Sequence, residues 1–278
     1  MRALIFSHFS RTNALSSHVL ETLTQYQTHT DEIVFVSTSP LPRAGHDQVN
    51  LLCSHVIERD NVGYDFMSWK TGLDALPGLD HADEIIIAND SVLGPLGQTD
   101  RLFSRLRKDT REVCGLTLSW EQARHVQSYF VRFSRATLRS GAFHDFWRGV
   151  TPLHDKQHVI DRYELQLSSF MEQRGHTTGA LFEAPRGFTV MDRTKRWTKH
   201  VDLRHPVKAL RSLRRSLDLK DLNPTIDLWR ECLDAGIPFV KKELIRDNPP
   251  GVSIEGVTTE LARRFTVDPD AIRKWSRT

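Results

Sequence analysis

Cysteine is scarce in this chain. Its 278 residues hold three, Cys53, Cys114 and Cys232, odd in number, widely separated and with no CxxC pair. That excludes a disulfide framework and a cysteine-only zinc site, and it predicts reduced thiols in a cytoplasmic protein. No apolar run approaches the roughly 18 residues that a membrane span requires. The N-terminal Met1-Arg2-Ala3-Leu4-Ile5-Phe6 runs straight into polar residues, without the apolar core and small-residue cleavage site of a signal peptide. No Gly-x-Gly-x-x-Gly follows the first predicted strand, which argues against a nicotinamide or flavin dehydrogenase. A Walker lysine loop is also missing. His8, His125, His144, His154 and His158 lack tight metal-ligand spacing, which excludes a zinc hydrolase. Low-complexity segments and internal repeats are absent.

What is present is an ordinary globular composition. Hydrophobic residues make up 39% and charged residues 26%, enough for one large or two small domains with a sizeable core. The net charge of +3 implies no partner. Its distribution says more. Residues 193–220 hold ten Lys/Arg and two acids, a local +8 within a chain of +3, which leaves −5 elsewhere. That acidic remainder argues against a nucleic-acid partner. Inside the basic segment, Pro206 opens a predicted helix with the apolar stripe Val207, Leu210, Leu213 and Leu217, flanked by Lys208, Arg211, Arg214 and Arg215. The pattern fits either a peripheral helix on an anionic membrane or the solvated face of a packed helix.

Residues 2–6, 33–36, 55–58, 84–88 and 113–118 read as buried strands that alternate with helical stretches. The first helix is expected to be capped at Asn13, with Leu15, Val19, Leu23 and Tyr26 on one stripe. The alternation predicts an α/β fold, a largely parallel sheet with helices on both faces. Right-handed crossovers put the strands' carboxyl ends on one edge, and open α/β sheets bind ligands there. His8, Ser37, Asn61, Asp65, Asp90, Ser91 and Glu121 all follow predicted strand ends, so they are expected to gather round one crevice. Residues 127–133 read as a strand and 136–147 as a helix interrupted at Gly141. Ile160, Tyr163, Leu167, Phe170, Met171 and Arg174 mark a helix stopped by Gly175, and residues 176–183 read as a return to the sheet. Asn223 caps a further helix with Ile226, Trp229 and Leu233 inward, and 258–264 and 269–275 are two more. These C-terminal helices are expected to pack on the sheet.

The stretch around which the rest is organised is Asn61-Val62-Gly63-Tyr64-Asp65-Phe66-Met67-Ser68-Trp69-Lys70-Thr71-Gly72-Leu73. Gly63 supplies a positive φ in the turn. Phe66, Trp69, Leu73 and Leu76 then recur at helical spacing and share one buried face. A glycine turn feeding a helix start exposes backbone N–H groups where an anion binds. Asp65 in the first turn either favours the helix N-terminus electrostatically or meets a hydroxyl, a base edge or a cation.

The same stretch resembles the signature of the rhamnan synthesis protein F family of bacterial polysaccharide glycosyltransferases. Four further blocks are similar to the family's, in its order. They are Ala88-Asn89-Asp90-Ser91-Val92-Leu93-Gly94-Pro95-Leu96; Gly115-Leu116-Thr117 with His125-Val126-Gln127-Ser128-Tyr129-Phe130; Tyr163-Glu164; and Gly236-Ile237-Pro238-Phe239-Val240-Lys241-Lys242-Glu243-Leu244. The resemblance implies a GT-A-like, Rossmann-type catalytic domain over residues 1–190 and a basic, mainly helical extension over 191–278. It implies transfer of a deoxysugar, L-rhamnose from dTDP-L-rhamnose, to a cell-surface polysaccharide or undecaprenyl-linked glycan. The place of action it implies is the cytoplasm, at the inner face of the membrane. The alternative is a catalytically degenerate protein of the same fold that binds glycan or nucleotide-sugar.

Under this resemblance the donor nucleotide-sugar is expected at His8, Asn61, Gly63, Tyr64, Asp65, Lys70, Asp90 and Ser91. Asp90 stands where such transferases place an acidic pair that holds Mg²⁺ or Mn²⁺ against the diphosphate. One acid of the pair is present here, and Asp90 also reads as an Asx-type turn residue. Glu164 falls on the face of Ile160, Leu167 and Met171 at about 100° per residue. A carboxylate on an apolar stripe is costly unless paired or used. Glu164 is therefore either the general base of an inverting displacement or the partner of an arginine from elsewhere. Glu121, four residues before His125, is the second base candidate. His125, Gln127, Ser128 and Tyr129 are expected on the acceptor side, and Lys241, Lys242, Arg246 and the basic segment against diphosphate or lipid phosphate.

Overall fold

The computed structural model describes residues 1–185, 191–194, 198, 201, 206–217 and 222–277. The chain opens with β1 (Arg2–His8), α1 (Ser17–Gln27), β2 (Glu32–Ser37), α2 (Arg43–Asn50), β3 (His55–Glu58), α3 (Tyr64–Ala75) and β4 (Glu84–Asn89). There follow β5 (Val92–Leu93), α4 (Asp100–Lys108), β6 (Val113–Ser119), β7 (His125–Val126) and β8 (Phe130–Ser134). Next come α5 (Arg135–Leu138), α6 (Gly141–Arg148), α7 (Lys156–Val159), α8 (Leu165–Glu172) and β9 (Thr178–Glu183); β10 (Val240–Lys241) lies among the C-terminal helices.

The large sheet runs β3-β2-β1-β4-β8-β6, with β7 and β9 also on β6. Strands β1 to β4 are mutually parallel, with Ile5 opposite both Val34 and Ile87. Strand β8 is antiparallel to β4 and β6, so β6 runs the same way as β4 and ends on the same edge. A parallel sheet buried on both faces needs near-continuous apolar strands. Here Ala3 and Ile5 face one core with Val34, Val36, Ile85 and Ile87, beneath α3, α6 and α8. Leu4 and Phe6 face the other with Phe35, Ile86 and Ala88, beneath α1 and α4. The expected parallel sheet, helices on both faces and return of residues 178–183 to the sheet are all present.

Some local expectations are corrected. Helix α1 begins at Ser17, and Ser16, not Asn13, caps it by accepting from the Val19 N–H. Asn13 has φ 54 in a loop that Ser10 Oγ ties down by accepting from the Ala14 N–H. The helix expected from Ile160 starts earlier, at Lys156, and passes through a π-helical turn at Ile160–Glu164 before α8. In the helix Pro206–Leu217, Val207 and Leu210 are 65% and 54% exposed, so two positions of the expected stripe face solvent. Much of the basic segment 193–220 lies outside the described residues. No helix among the described residues is long and apolar enough to cross a membrane.

The C-terminal helices pack as expected. Cys232, Ile237 and Phe239 enter the core under β1 and β4. Trp275 stacks on His18 at 5.0 Å and donates its indole N–H to Ser17 Oγ. All three cysteines are buried, and burial pushes the Cys53 and Cys114 thiols up to about 12.

Helix α3 lies close on the sheet because Gly72 lacks a side chain. A Cβ there would sit 2.3 Å from Ile5 Cγ2 and 3.2 Å from Val36 Cγ2, both on β-branched residues of inner strands. Gly72→Ala is expected to lose about 1–3 kcal/mol by overpacking, read as a lower urea midpoint. An unchanged midpoint would show that α3 does not rest on β1 at this point.

Candidate active site

The site forms where chain segments leave the carboxyl edge of the sheet. After β3, Arg59 gathers the turn: its guanidinium donates to the Val62 carbonyl and to Ser68 Oγ. Gly63 (φ 80) and Tyr64 (φ 51) are both left-handed. The second is strained, at a cost of about 1–3 kcal/mol for a non-glycine residue. The Gly63 N–H donates to the Leu153 carbonyl at 2.9 Å, so this amide is already used and not open to an anion. The Tyr64 hydroxyl donates to the His154 carbonyl. Phe66, Trp69, Leu73 and Leu76 form the expected buried face, and the Trp69 indole N–H donates to the Ala88 carbonyl near the end of β4.

Asp65 joins three elements. Its Oδ1 accepts from Ser7 Oγ of β1 at 2.7 Å, and its Oδ2 accepts from Asn89 Nδ2 of β4 at 3.1 Å. Burial pushes its carboxyl up to about 6; the Ser7 hydrogen bond pulls it down and the Asp90 charge pushes it up further.

At the end of β4, Asn89 Oδ1 accepts from both the N–H and the hydroxyl of Ser91. That is the Asx-type turn, carried by Asn89 instead of Asp90. Asp90 pairs with Lys242 at 3.6 Å, both nearly buried. Strand β10 pairs antiparallel with β5, placing Lys241 opposite Val92, and the Lys241 ammonium donates to Ser91 Oγ at 3.2 Å.

The third wall is made by a fault in the sheet. Leu118 lies opposite Val126, yet Gly115 lies opposite Val131, so two residues are extra between β7 and β8. The resulting bulge at 127–129 takes the Ser128 N–H out of the ladder. Glu164 satisfies it: one oxygen, Oε1, accepts from the Ser128 N–H at 3.1 Å and from the Ser128 hydroxyl at 2.9 Å. Oε2 has no hydrogen-bond partner among the described residues. Glu164 pairs with no arginine among the described residues either. Glu121 Oε2 accepts from Asn223 Nδ2, and Gln127 Nε2 donates to Asn223 Oδ1.

These elements enclose a cavity of about 400 Å³. Of the residues expected at the site, Tyr64, Asp65, Ser91, Glu121, His125, Gln127, Ser128 and Glu164 line it. The other seven, Ser37 among them, do not. Asn61 is exposed on the turn, and Gly63 is buried against the 152–153 loop. Lys70 donates to the Trp147 carbonyl on the helical layer. His8 is buried with Nδ1 against Ser37 Oγ, and burial lowers its pKa. Tyr129 is buried, with its hydroxyl bonded to Thr117. Asp90 sits behind the wall with Lys242. Asn89 of the Asn89-Asp90-Ser91 turn and Lys241, one of the cations expected to meet phosphate, also line the cavity; sequence reading missed Lys156 and Asn223 there. Asn223 also fills its expected role of helix cap, accepting from the Thr225 N–H. Among the described residues no three His, Cys, Asp or Glu side chains converge to hold a metal ion.

Comparison with known proteins matches residues 33–201 to the family described as rhamnan synthesis protein F. The chain is 33% identical over 205 residues to the virulence protein VirA of Vibrio anguillarum, covering 72% of this chain and 64% of VirA. It is 28% identical over 155 residues to the uncharacterized protein y4gN of Sinorhizobium fredii, covering 54% of this chain and 40% of that protein. The matches thus span less than two thirds of either relative. Among solved structures, S. aureus TarS in complex with UDP-GlcNAc aligns with a TM-score of 0.41 and 10% identity over 99% of this chain and 90% of TarS. A nucleotidyl transferase from Methanothermobacter gives 0.40 and 16% over 78% and 98%. Likenesses at this level carry no argument about chemistry.

The Asp65 environment predicts a pH dependence. A carboxyl whose native pKa is raised binds its proton more tightly in the folded state, so its stabilising contribution is complete below about 4 and is lost as pH rises through about 6. Relative to Asp65→Asn, the wild type is expected to lose up to about 3 kcal/mol across that window. Urea unfolding of both proteins from pH 4 to 8 measures it; a difference that does not vary with pH would contradict the buried, raised carboxyl.

Proposed function

The chain belongs to the rhamnan synthesis protein F family, and from that premise we propose that it is a nucleotide-sugar-dependent glycosyltransferase with a GT-A-like catalytic domain. The family match supports a role in building polysaccharide. The donor we propose is dTDP-L-rhamnose, and the acceptor a cell-surface polysaccharide or lipid-linked glycan. A cavity of about 400 Å³ lined mainly by polar side chains suits such a substrate, because sugar hydroxyls need paired hydrogen bonds.

The observation that carries the reading is the state of Glu164. One carboxylate oxygen is anchored to the bulge by two hydrogen bonds, and the residue faces the cavity with the other oxygen unengaged among the described residues. Anchoring fixes the orientation of the free oxygen, which is what a general base requires. In an inverting displacement the acceptor hydroxyl oxygen attacks the anomeric carbon of the donor. The bond from that carbon to the diphosphate oxygen breaks, and its electron pair leaves on the diphosphate. The hydroxyl proton passes to Glu164 Oε2. Gln127 and His125 lie on the acceptor side. Glu121, held by Asn223, is the reserve candidate for the base.

Purified protein given dTDP-L-rhamnose and a glycan acceptor is expected to release dTDP, followed by a coupled phosphate assay. Glu164→Gln keeps an oxygen for Ser128 but cannot take a proton. It is expected to lower kcat by about 10²–10⁴-fold with donor affinity little changed. Full turnover by this variant removes Glu164 from the base role, and loss confined to Glu121→Gln transfers the role there. Donor binding with neither transfer nor hydrolysis would favour the binding-protein alternative.

A further inference from the structure

A nucleoside diphosphate donor carries about two negative charges into the cavity, and they grow on the leaving group as the glycosidic bond breaks. The device implied by the resemblance is a divalent cation on Asp90. The residues at the end of β4 do not fit it. Asp90 is the only acid of the Asn89-Asp90-Ser91 turn, and its carboxylate is already balanced by the Lys242 ammonium at 3.6 Å, with the two side chains 11% and 8% exposed. A divalent cation on Asp90 would face that ammonium as a like charge. The neighbouring Asn89 offers no second carboxylate, and both its Oδ1 and its Nδ2 are engaged within the protein.

A positive charge nevertheless reaches the cavity. The two-stranded pairing of β10 with β5 fixes adjacent lysines to opposite tasks: Lys242 goes back to Asp90, while Lys241 lines the cavity. The Lys241 ammonium lies 3.2 Å from Ser91 Oγ and 5.9 Å from the centroid of the Tyr129 ring, and it makes no ion pair among the described residues. A half-buried ammonium held by a backbone ladder beside a hydroxyl is a preorganised site for phosphate oxygens. Its charge already acts on Asp65, which it pulls down against burial.

We propose that Lys241, with Ser91, holds the donor's diphosphate and balances the charge of the departing nucleotide, in place of a divalent cation on Asp90. This rests on the glycosyltransferase reading.

Calorimetry with dTDP, UDP and GDP, each in excess EDTA and then in Mg²⁺ or Mn²⁺, tests it. At least one nucleotide is expected to bind in EDTA, with an affinity that added metal changes by no more than about 2-fold. Lys241→Met is expected to weaken that binding by about 10–100-fold, the loss of one charge-assisted contact, while Lys241→Arg retains most of it. Circular dichroism and thermal unfolding identify a variant that has lost its fold, and Ser91→Ala, expected to weaken binding in the same direction, then serves instead. Binding that requires metal, or a folded Lys241→Met that binds as the wild type does, overturns this proposal and leaves the glycosyltransferase reading intact. Failure of all three nucleotides with and without metal overturns both.

Discussion

Everything at the carboxyl edge depends on how one carboxylate is held in the cavity wall. Asp65 opens α3, and its two oxygens take hydrogen bonds from Ser7 on β1 and Asn89 on β4. Those strands are neighbours in the sheet, so the contact holds the start of α3 over the gap between their ends. The same Asn89 orders the turn that presents Ser91. Trp69, one turn further along α3, repeats the attachment through the Ala88 carbonyl. Burying a carboxylate is unfavourable unless it is paired, which is why Asp65 titrates high and why its two donors are fixed so firmly.

The opposite wall obeys a related rule, that a buried backbone donor must find an acceptor. Two extra residues between β7 and β8 break the ladder and release the Ser128 N–H. Glu164 answers it from a π-helical turn. That turn adds a residue to the local helical period and turns Glu164 away from the packed face occupied by the buried Tyr163. The carboxylate therefore serves structure with one oxygen and leaves the other for the cavity.

Much of the architecture was legible in the chain. The strands β1, β2 and β4 are short apolar runs, the helices between them carry period-3.6 stripes, and both signals arise from neighbours in sequence. The burial of Phe66, Trp69, Leu73 and Leu76 followed directly from that spacing. The residues lining the cavity were legible in part, because placing polar residues after strand ends identifies the edge at which the cavity lies. It does not say which way each side chain turns. His8 and Ser37 are the last residues of β1 and β2 and bond to each other beneath the surface, whereas Ser91 and Glu121, beyond the ends of β4 and β6, reach the cavity. Lys70 lies on the helix that opens the site but points to the Trp147 carbonyl, since its position along α3 faces the α6 layer.

The sequence alone determined the fold class, the edge of the sheet at which the cavity lies and the family, because hydrophobic periodicity and contiguous motifs are local properties. Tertiary structure decided which groups share the cavity. Lys241 meets Ser91 150 positions away through the β5–β10 pairing, and Asn223 meets Glu121 102 positions away. It also decided that Asp90 answers a lysine and that Glu164 answers a backbone amide. Such contacts are set by strand register and by the need to satisfy buried polar groups across distant segments, and no local pattern encodes either.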